Sequence, residues 1–165
     1  SPKHAKLTPG SSALNPNCFS LVEWMSSIAG ACHLPRACLL TGEKYEEQGI
    51  STDEAYALVD KLRAIGSHSV LITSCIVDGQ HAVVGFNQLT DEHFLLPYEE
   101  IPVQFPGTGD IFSSLIVGRL KDGDNLRHAT RLAMDTLRNW IDINKDNDDI
   151  NRGIPVEKHL ADLSF

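Results

Sequence analysis

Residues 51–75 read STDEAYALVDKLRAIGSHSVLITSC, and the fold class follows from them. Ser51 and Glu54 stand at the spacing of a capping box. Ala55, Leu58, Val59, Leu62 and Ile65 recur at helical spacing, so one apolar stripe faces a core. Gly66 suits the C-terminal cap. In the run His68–Cys75, Val70, Leu71 and Ile72 form a short β-rich segment that ends in small hydroxyl residues. A helix that passes through a short turn into a buried strand is an α/β unit.

Working outward, Asp78-Gly79 reads as a hairpin turn between Ile76-Val77 and the run His81–Phe86, and Glu92–Leu96 is a further strand. The sheet is expected to be antiparallel at this edge. After Gly107-Thr108-Gly109-Asp110 an apolar helix runs to about Leu120, followed by a Lys121-Asp122-Gly123 turn. A long helix from an Asp124 cap to about Ile143 then carries Leu126, Ala129, Ala133, Leu137, Trp140 and Ile141. Asn144–Asn151 reads as a solvated loop, and Arg152-Gly153-Ile154-Pro155 leads to a short helix over Val156–Leu163. Upstream, Leu21, Trp24, Met25 and Ile28 predict a short helix stopped by Gly30. Residues 1–18, rich in Pro, Ser, Asn and Gly, are expected to be an extended or flexible leader.

The chain has 165 residues, 42% hydrophobic and 22% charged, which is the size and make-up of one domain and too small for two. The formal charge of -8 has the wrong sign for a nucleic-acid module. No apolar run approaches the roughly 20 residues of a membrane helix, and no secretory signal opens the chain, so neither a membrane nor secretion is expected. The four cysteines, Cys18, Cys32, Cys38 and Cys75, form no CxxC pair, which points to reduced thiols and a cytoplasmic setting. Cys32, His33 and Cys38 do not have a zinc-ligand spacing, and no metal site is assigned. The histidines are scattered, Trp24 and Trp140 read as core anchors, and Arg127, Arg131 and Arg138 as a solvated helix face.

Chemistry concentrates in Pro106-Gly107-Thr108-Gly109-Asp110-Ile111-Phe112-Ser113-Ser114, where two glycines and an acid stand at the mouth of a helix. Glycines let successive N–H groups turn toward one point, and the helix dipole adds positive potential there, so the segment can form an anion hole. An acid at its edge could take a proton from a hydroxyl beside a phosphoryl group. The plainer reading is a turn with Asp110 as an N-terminal cap. Thr73-Ser74, at the end of a strand, would add hydroxyl and backbone donors of the kind that meet phosphates at the carboxyl edge of an α/β sheet.

These residues carry a family resemblance. Ile101–Leu120 (IPVQFPGTGDIFSSLIVGRL), with Val70-Leu71-Ile72-Thr73-Ser74, Ala37-Cys38-Leu39-Leu40-Thr41-Gly42-Glu43 and the tail Arg152-Gly153-Ile154-Pro155-Val156-Glu157, resembles the C-terminal half of pyridoxal (pyridoxamine) kinases of the ribokinase-like superfamily. The match spans residues 37–165, with residues 1–36 as an atypical leader of one domain covering residues 1–165. The resemblance implies an α/β chain, the C-terminal part of a three-layer αβα ribokinase-like fold without its first strands. It implies ATP and magnesium as cofactors and transfer of the ATP γ-phosphoryl group to the 5'-hydroxyl of pyridoxal, pyridoxine or pyridoxamine. It assigns Asp110 as catalytic base, Gly107, Thr108 and Gly109 as the anion hole, and Thr73, Ser74, Val103 and Phe105 as ATP contacts, the last two within the Tyr98–Pro106 loop.

Two departures stand against the family pattern. Where the family has Asn-x-x-Glu, whose acid organises magnesium, this chain has His33 and Arg36. A guanidinium in place of a carboxylate should weaken magnesium binding. Residues 1–36 also resemble nothing of the family's N-terminal half, so an exposed sheet edge is expected, covered in a homodimer or by pairing with a missing partner. The competing expectations are a hydroxymethylpyrimidine or sugar kinase, and a catalytically silent nucleotide-binding or interaction module of the same lineage.

Overall fold

The computed structural model describes residues 30–66 and 69–163. The expected leader, the helix before Gly30, and Trp24 lie outside them. Gly30, expected as the stop of that helix, is the first residue of a strand, β1 (Gly30–His33).

Four strands form one sheet in the order β1-β2-β3-β4, with β2 at Val70–Val77, β3 at Gln80–Asn87 and β4 at Glu92–Pro97. β1 and β2 are parallel, whereas β2, β3 and β4 pair antiparallel, as expected for that edge. Asp78 and Gly79 both take positive φ, which makes a tight turn whose twist suits the β2–β3 hairpin.

Between β1 and β2 run two helices, α1 (Leu34–Thr41) and α2 (Thr52–Ala64). Ser51 caps α2: its Oγ accepts from the Glu54 N–H at 3.2 Å and donates to the Glu54 carboxylate at 3.1 Å. Ala55, Leu58, Val59 and Leu62 are buried, but Ile65 is not part of the stripe. It is the C-cap residue, in the place expected of Gly66, and is 63% exposed because the helix has ended before it. Downstream of β4 come α3 (Thr108–Lys121) and α4 (Leu126–Asn144). Asn125, not Asp124, caps α4 by accepting from the His128 N–H at 2.9 Å. Asp124 instead holds the His128 ring.

The sheet separates two cores, and strand periodicity explains which side chain goes where. Val70, Ile72, Val84 and Phe86 meet Leu34, Ala37, Leu58 and Val59 of α1 and α2 on one face. Leu71, Val83, Phe94 and Leu96 meet Phe112, Ile116, Ala129 and Trp140 of α3 and α4 on the other. The result is a three-layer αβα arrangement.

The tail departs from the expected helix over Val156–Leu163. It forms separate 3-10 turns at Ile150–Arg152, Val156–Lys158 and Leu160–Asp162, the last two divided at His159. Asn144 belongs to α4 rather than to a solvated loop, and is 5% exposed. Its Nδ2 donates to the Trp140 carbonyl at 2.8 Å and to His159 Nε2 at 2.9 Å. Trp140, 1% exposed, stacks on the His159 ring at 5.2 Å, a core anchor as expected. Among the described residues no helix is long and apolar enough to cross a membrane.

Candidate phosphoryl-transfer site

β4 leaves the sheet at Pro97, and the chain returns to helix only at Thr108. Since β4 runs antiparallel to β3, and β3 to β2, this exit lies at the same end of the sheet as the carboxyl ends of β1 and β2. In open α/β sheets this is the end at which ligands bind.

The intervening loop is anchored at both ends. The Tyr98 N–H donates to the His81 carbonyl at 2.9 Å. Burial pushes the Tyr98 phenol above its ordinary value, with further upward pressure from the Glu100 and Cys75 charges. Phe105 is 4% exposed and packs in the α3–α4 core, with Val103 against the same cluster. The Phe105 side chain therefore faces the protein interior, whereas Val103 is only half-buried.

Gly107 is the N-cap of α3, with φ 82° and ψ 3°. That left-handed conformation favours glycine and lets the chain turn sharply into the helix. No side chain caps the helix, so its first amides keep their donors pointing outward. The Gly107 carbonyl accepts the first helical bond from the Ile111 N–H at 3.1 Å. Thr108, Gly109 and Asp110 thus form the opening turn, where the helix dipole is positive. Asp110 is exposed in that turn and is not the cap. The cap reading of Asp110 is therefore set aside. The arrangement pairs amides free of a side-chain cap with a solvent-facing carboxylate, parts that a phosphoryl transfer to a hydroxyl could use.

Thr73 and Ser74 are not at the end of their strand. They form a bulge inside β2: Ile72 pairs with Val84 and Cys75 with Ala82, leaving two residues opposite Val83. Ser74 takes φ 58°. The sequence held a signal for it, since the side chains facing α1 and α2 shift from even positions (Val70, Ile72) to odd ones (Cys75, Val77). β1 ends level with the bulge, His33 being in register with Thr73. His33 Nδ1 lies 3.0 Å from Thr73 Oγ1 and 3.5 Å from Ser74 Oγ. The structure thus joins His33 to the two hydroxyls, a pairing that spacing in the sequence did not reveal.

His33 is also the N-cap of α1, and Arg36 sits half-buried in that helix's first turn. A ring that already faces two hydroxyls and a guanidinium three residues on do not suit a protein-held magnesium ion. Among the described residues no group of three or more His, Cys, Asp or Glu could hold a metal. Cys38 and Cys75 are free and buried, and burial raises the Cys38 thiol above its ordinary value. Of the arginines read as a solvated face, Arg127 and Arg138 are exposed, Arg131 is half-buried, and Arg138 pairs with Glu99 at 3.4 Å.

The fold and this geometry agree with the relatives found by comparison. No protein-family model matches the sequence. The pyridoxal kinase of Arabidopsis thaliana is 32% identical over 116 residues, 64% of this chain and 38% of that protein. A Bacteroides thetaiotaomicron protein assigned as a phosphomethylpyrimidine kinase superposes with a TM-score of 0.73 at 26% identity, over 94% of this chain and 55% of its own. That protein has also been crystallised with pyridoxal, and in that form the TM-score is 0.72. The pyridoxal kinase of Lactobacillus plantarum superposes with a TM-score of 0.66 at 21% identity, over 81% of this chain and 48% of its own. The chain spans 38% of the Arabidopsis relative and about half of these solved structures. In sequence and in fold the chain is similar to pyridoxal kinases, and what it shares with them is one part of the ribokinase-like fold.

Proposed function

We propose that this chain carries the phosphoryl-transfer half of an ATP-dependent kinase whose acceptor is the 5'-hydroxymethyl group of a pyridoxal-type ring. The observation that carries the reading is the Gly107 turn: a left-handed N-cap with no side-chain cap, followed by the exposed Asp110 in the first helical turn. In this reading the Asp110 carboxylate takes the hydroxyl proton as the acceptor oxygen bonds to the γ-phosphorus. The bond from that phosphorus to the β,γ-bridging oxygen breaks, and ADP leaves. The amides of the opening turn stabilise charge on the transferring oxygens, while Thr73 and Ser74 at the bulge supply hydroxyl donors to the nucleotide phosphates. No step runs through a protein-held magnesium ion, because His33 and Arg36 stand where its organising acid would be. Any magnesium enters as part of the nucleotide substrate. The buried free thiols Cys38 and Cys75 are in keeping with a reducing, cytoplasmic setting.

His33 and Arg36 favour a second reading, a nucleotide-binding module that no longer turns over. Calorimetric titration of the chain with ATP and magnesium, followed in the same cell by pyridoxal, separates the two. Binding followed by heat of turnover supports the kinase; binding without turnover supports the silent module. Absence of binding rejects both and leaves the Gly107 turn as structure alone. Turnover with a hydroxymethylpyrimidine in place of pyridoxal would keep the chemistry and change the acceptor.

A further inference from the structure

The glycine turn that opens α3 has little of its own to hold it. Gly107 is conformationally permissive, and no side chain caps the helix behind it. Buried Phe105 anchors the approach to the turn, and the tail of the chain adds a further contact at Pro106. Gly153 follows the 3-10 turn Ile150–Arg152 with φ 77° and ψ -171°, a region essentially restricted to glycine. A Cβ at this position would lie 2.9 Å from the carbonyl oxygen of Pro106, the residue before Gly107. The approach is backbone against backbone, so no flexible side chain could move aside.

Gly153 is itself fixed from two directions. Its N–H donates to the Ile150 carbonyl at 3.1 Å, and the next residue, Ile154, is 6% exposed in the cluster that includes Phe105 and Phe112. Farther along, buried His159 ties the tail to α4 through Trp140 and Asn144. The tail is therefore a strap from the end of α4 to the mouth of α3, touching it one residue before the cap.

We propose that Gly153 is a positioning residue: its backbone seats the Pro106 carbonyl and thereby holds Gly107–Asp110 in the geometry that meets the phosphoryl group. Its role at that site rests on the phosphoryl-transfer reading above; the seat itself does not.

The test is Gly153→Ala, set beside Leu137→Ala, which removes partly buried packing from α4 without pressing on Pro106. In Gly153→Ala the backbone amide resonances of Gly107, Gly109 and Asp110 should move. Turnover should fall about a hundredfold, the scale of a misplaced reacting group, while KM for pyridoxal is unchanged. Leu137→Ala should lower the unfolding midpoint yet leave those resonances and turnover in place. Unmoved resonances in Gly153→Ala, or equal losses of turnover in the two variants at equal stability, would overturn the proposal. Should the chain show no phosphotransfer at all, the kinase reading fails, while the amide resonances still decide whether Gly153 seats the turn. If Gly153→Ala does not fold, Ile154→Val trims the adjoining anchor instead. Exchange at the Gly107 and Gly109 amides should then quicken relative to β3, and unchanged exchange would count against the seat.

Discussion

Replacing Asp110 by Asn separates a catalytic carboxylate from a structural one. Asp110 lies in the first turn of α3, exposed, at a helix whose N-cap is Gly107 and which has no side-chain cap bond. The folded state therefore loses only a favourable charge–dipole interaction, about 0.5 kcal/mol at an exposed first turn. For a chain of this size that is a drop of about 1–2 °C in Tm. The chemical step loses its proton acceptor, which is worth about 10²–10⁴ in rate, or about 3–5 kcal/mol of barrier. ATP affinity should hold or tighten, because a negative charge beside the phosphates is gone. The assay is ADP release with pyridoxal as acceptor, run beside calorimetric ATP binding and thermal melting. Turnover at the unaltered rate would refute the base assignment. Equal losses in turnover and ATP affinity would place Asp110 in nucleotide binding instead.

Arg36→Glu should make ATP binding depend more strongly on magnesium, read as the difference between titrations with and without the ion; the same dependence in both chains would dismiss Arg36 as the cause of weak metal coupling. Trp140→Ala should cost about 3–5 kcal/mol in denaturant unfolding, since a fully buried indole stacked on His159 leaves a cavity that the tail and α4 cannot both close. Stability should fall in alkali. The Cys38 thiol is raised above 9.0 and the Tyr98 phenol above 10.0 in the fold, so both groups hold their protons there after the unfolded chain has lost them. The contribution is complete below the unfolded values and is lost as pH climbs through the folded ones. A denaturant midpoint that rose between pH 9 and 11 would contradict this.

Much of the architecture was legible because it is written locally. The Ser51 cap, the α2 stripe, the Asp78-Gly79 hairpin and the helix after Gly107 all follow from spacing and turn chemistry within a few residues. Reading failed where one signal had two competent neighbours. Asp124 and Asn125 can both cap, and the choice went to Asn125 once Asp124 was engaged with His128. Ile65 and Gly66 can both end a helix, and where α2 stops left Ile65 outside the core. The tail kept its apolar residues but not its helix: Ile154 is drawn into the core and His159 onto Trp140 and Asn144 of α4, contacts made far from the tail in sequence.

By itself, then, the sequence determined the α/β class, the glycine turn with its acid, and the two hydroxyl residues that could face a phosphate, since each depends on residue type and near-neighbour spacing. The tertiary structure alone decided that Thr73 and Ser74 lie beside His33, and that Phe105 turns inward with Val103 against the same cluster. It also decided that Gly153 bears on Pro106 from the far end of the chain. The His33–Thr73 and Pro106–Gly153 contacts join residues forty or more positions apart, and such contacts are set by how the layers close over the sheet, which no local pattern encodes.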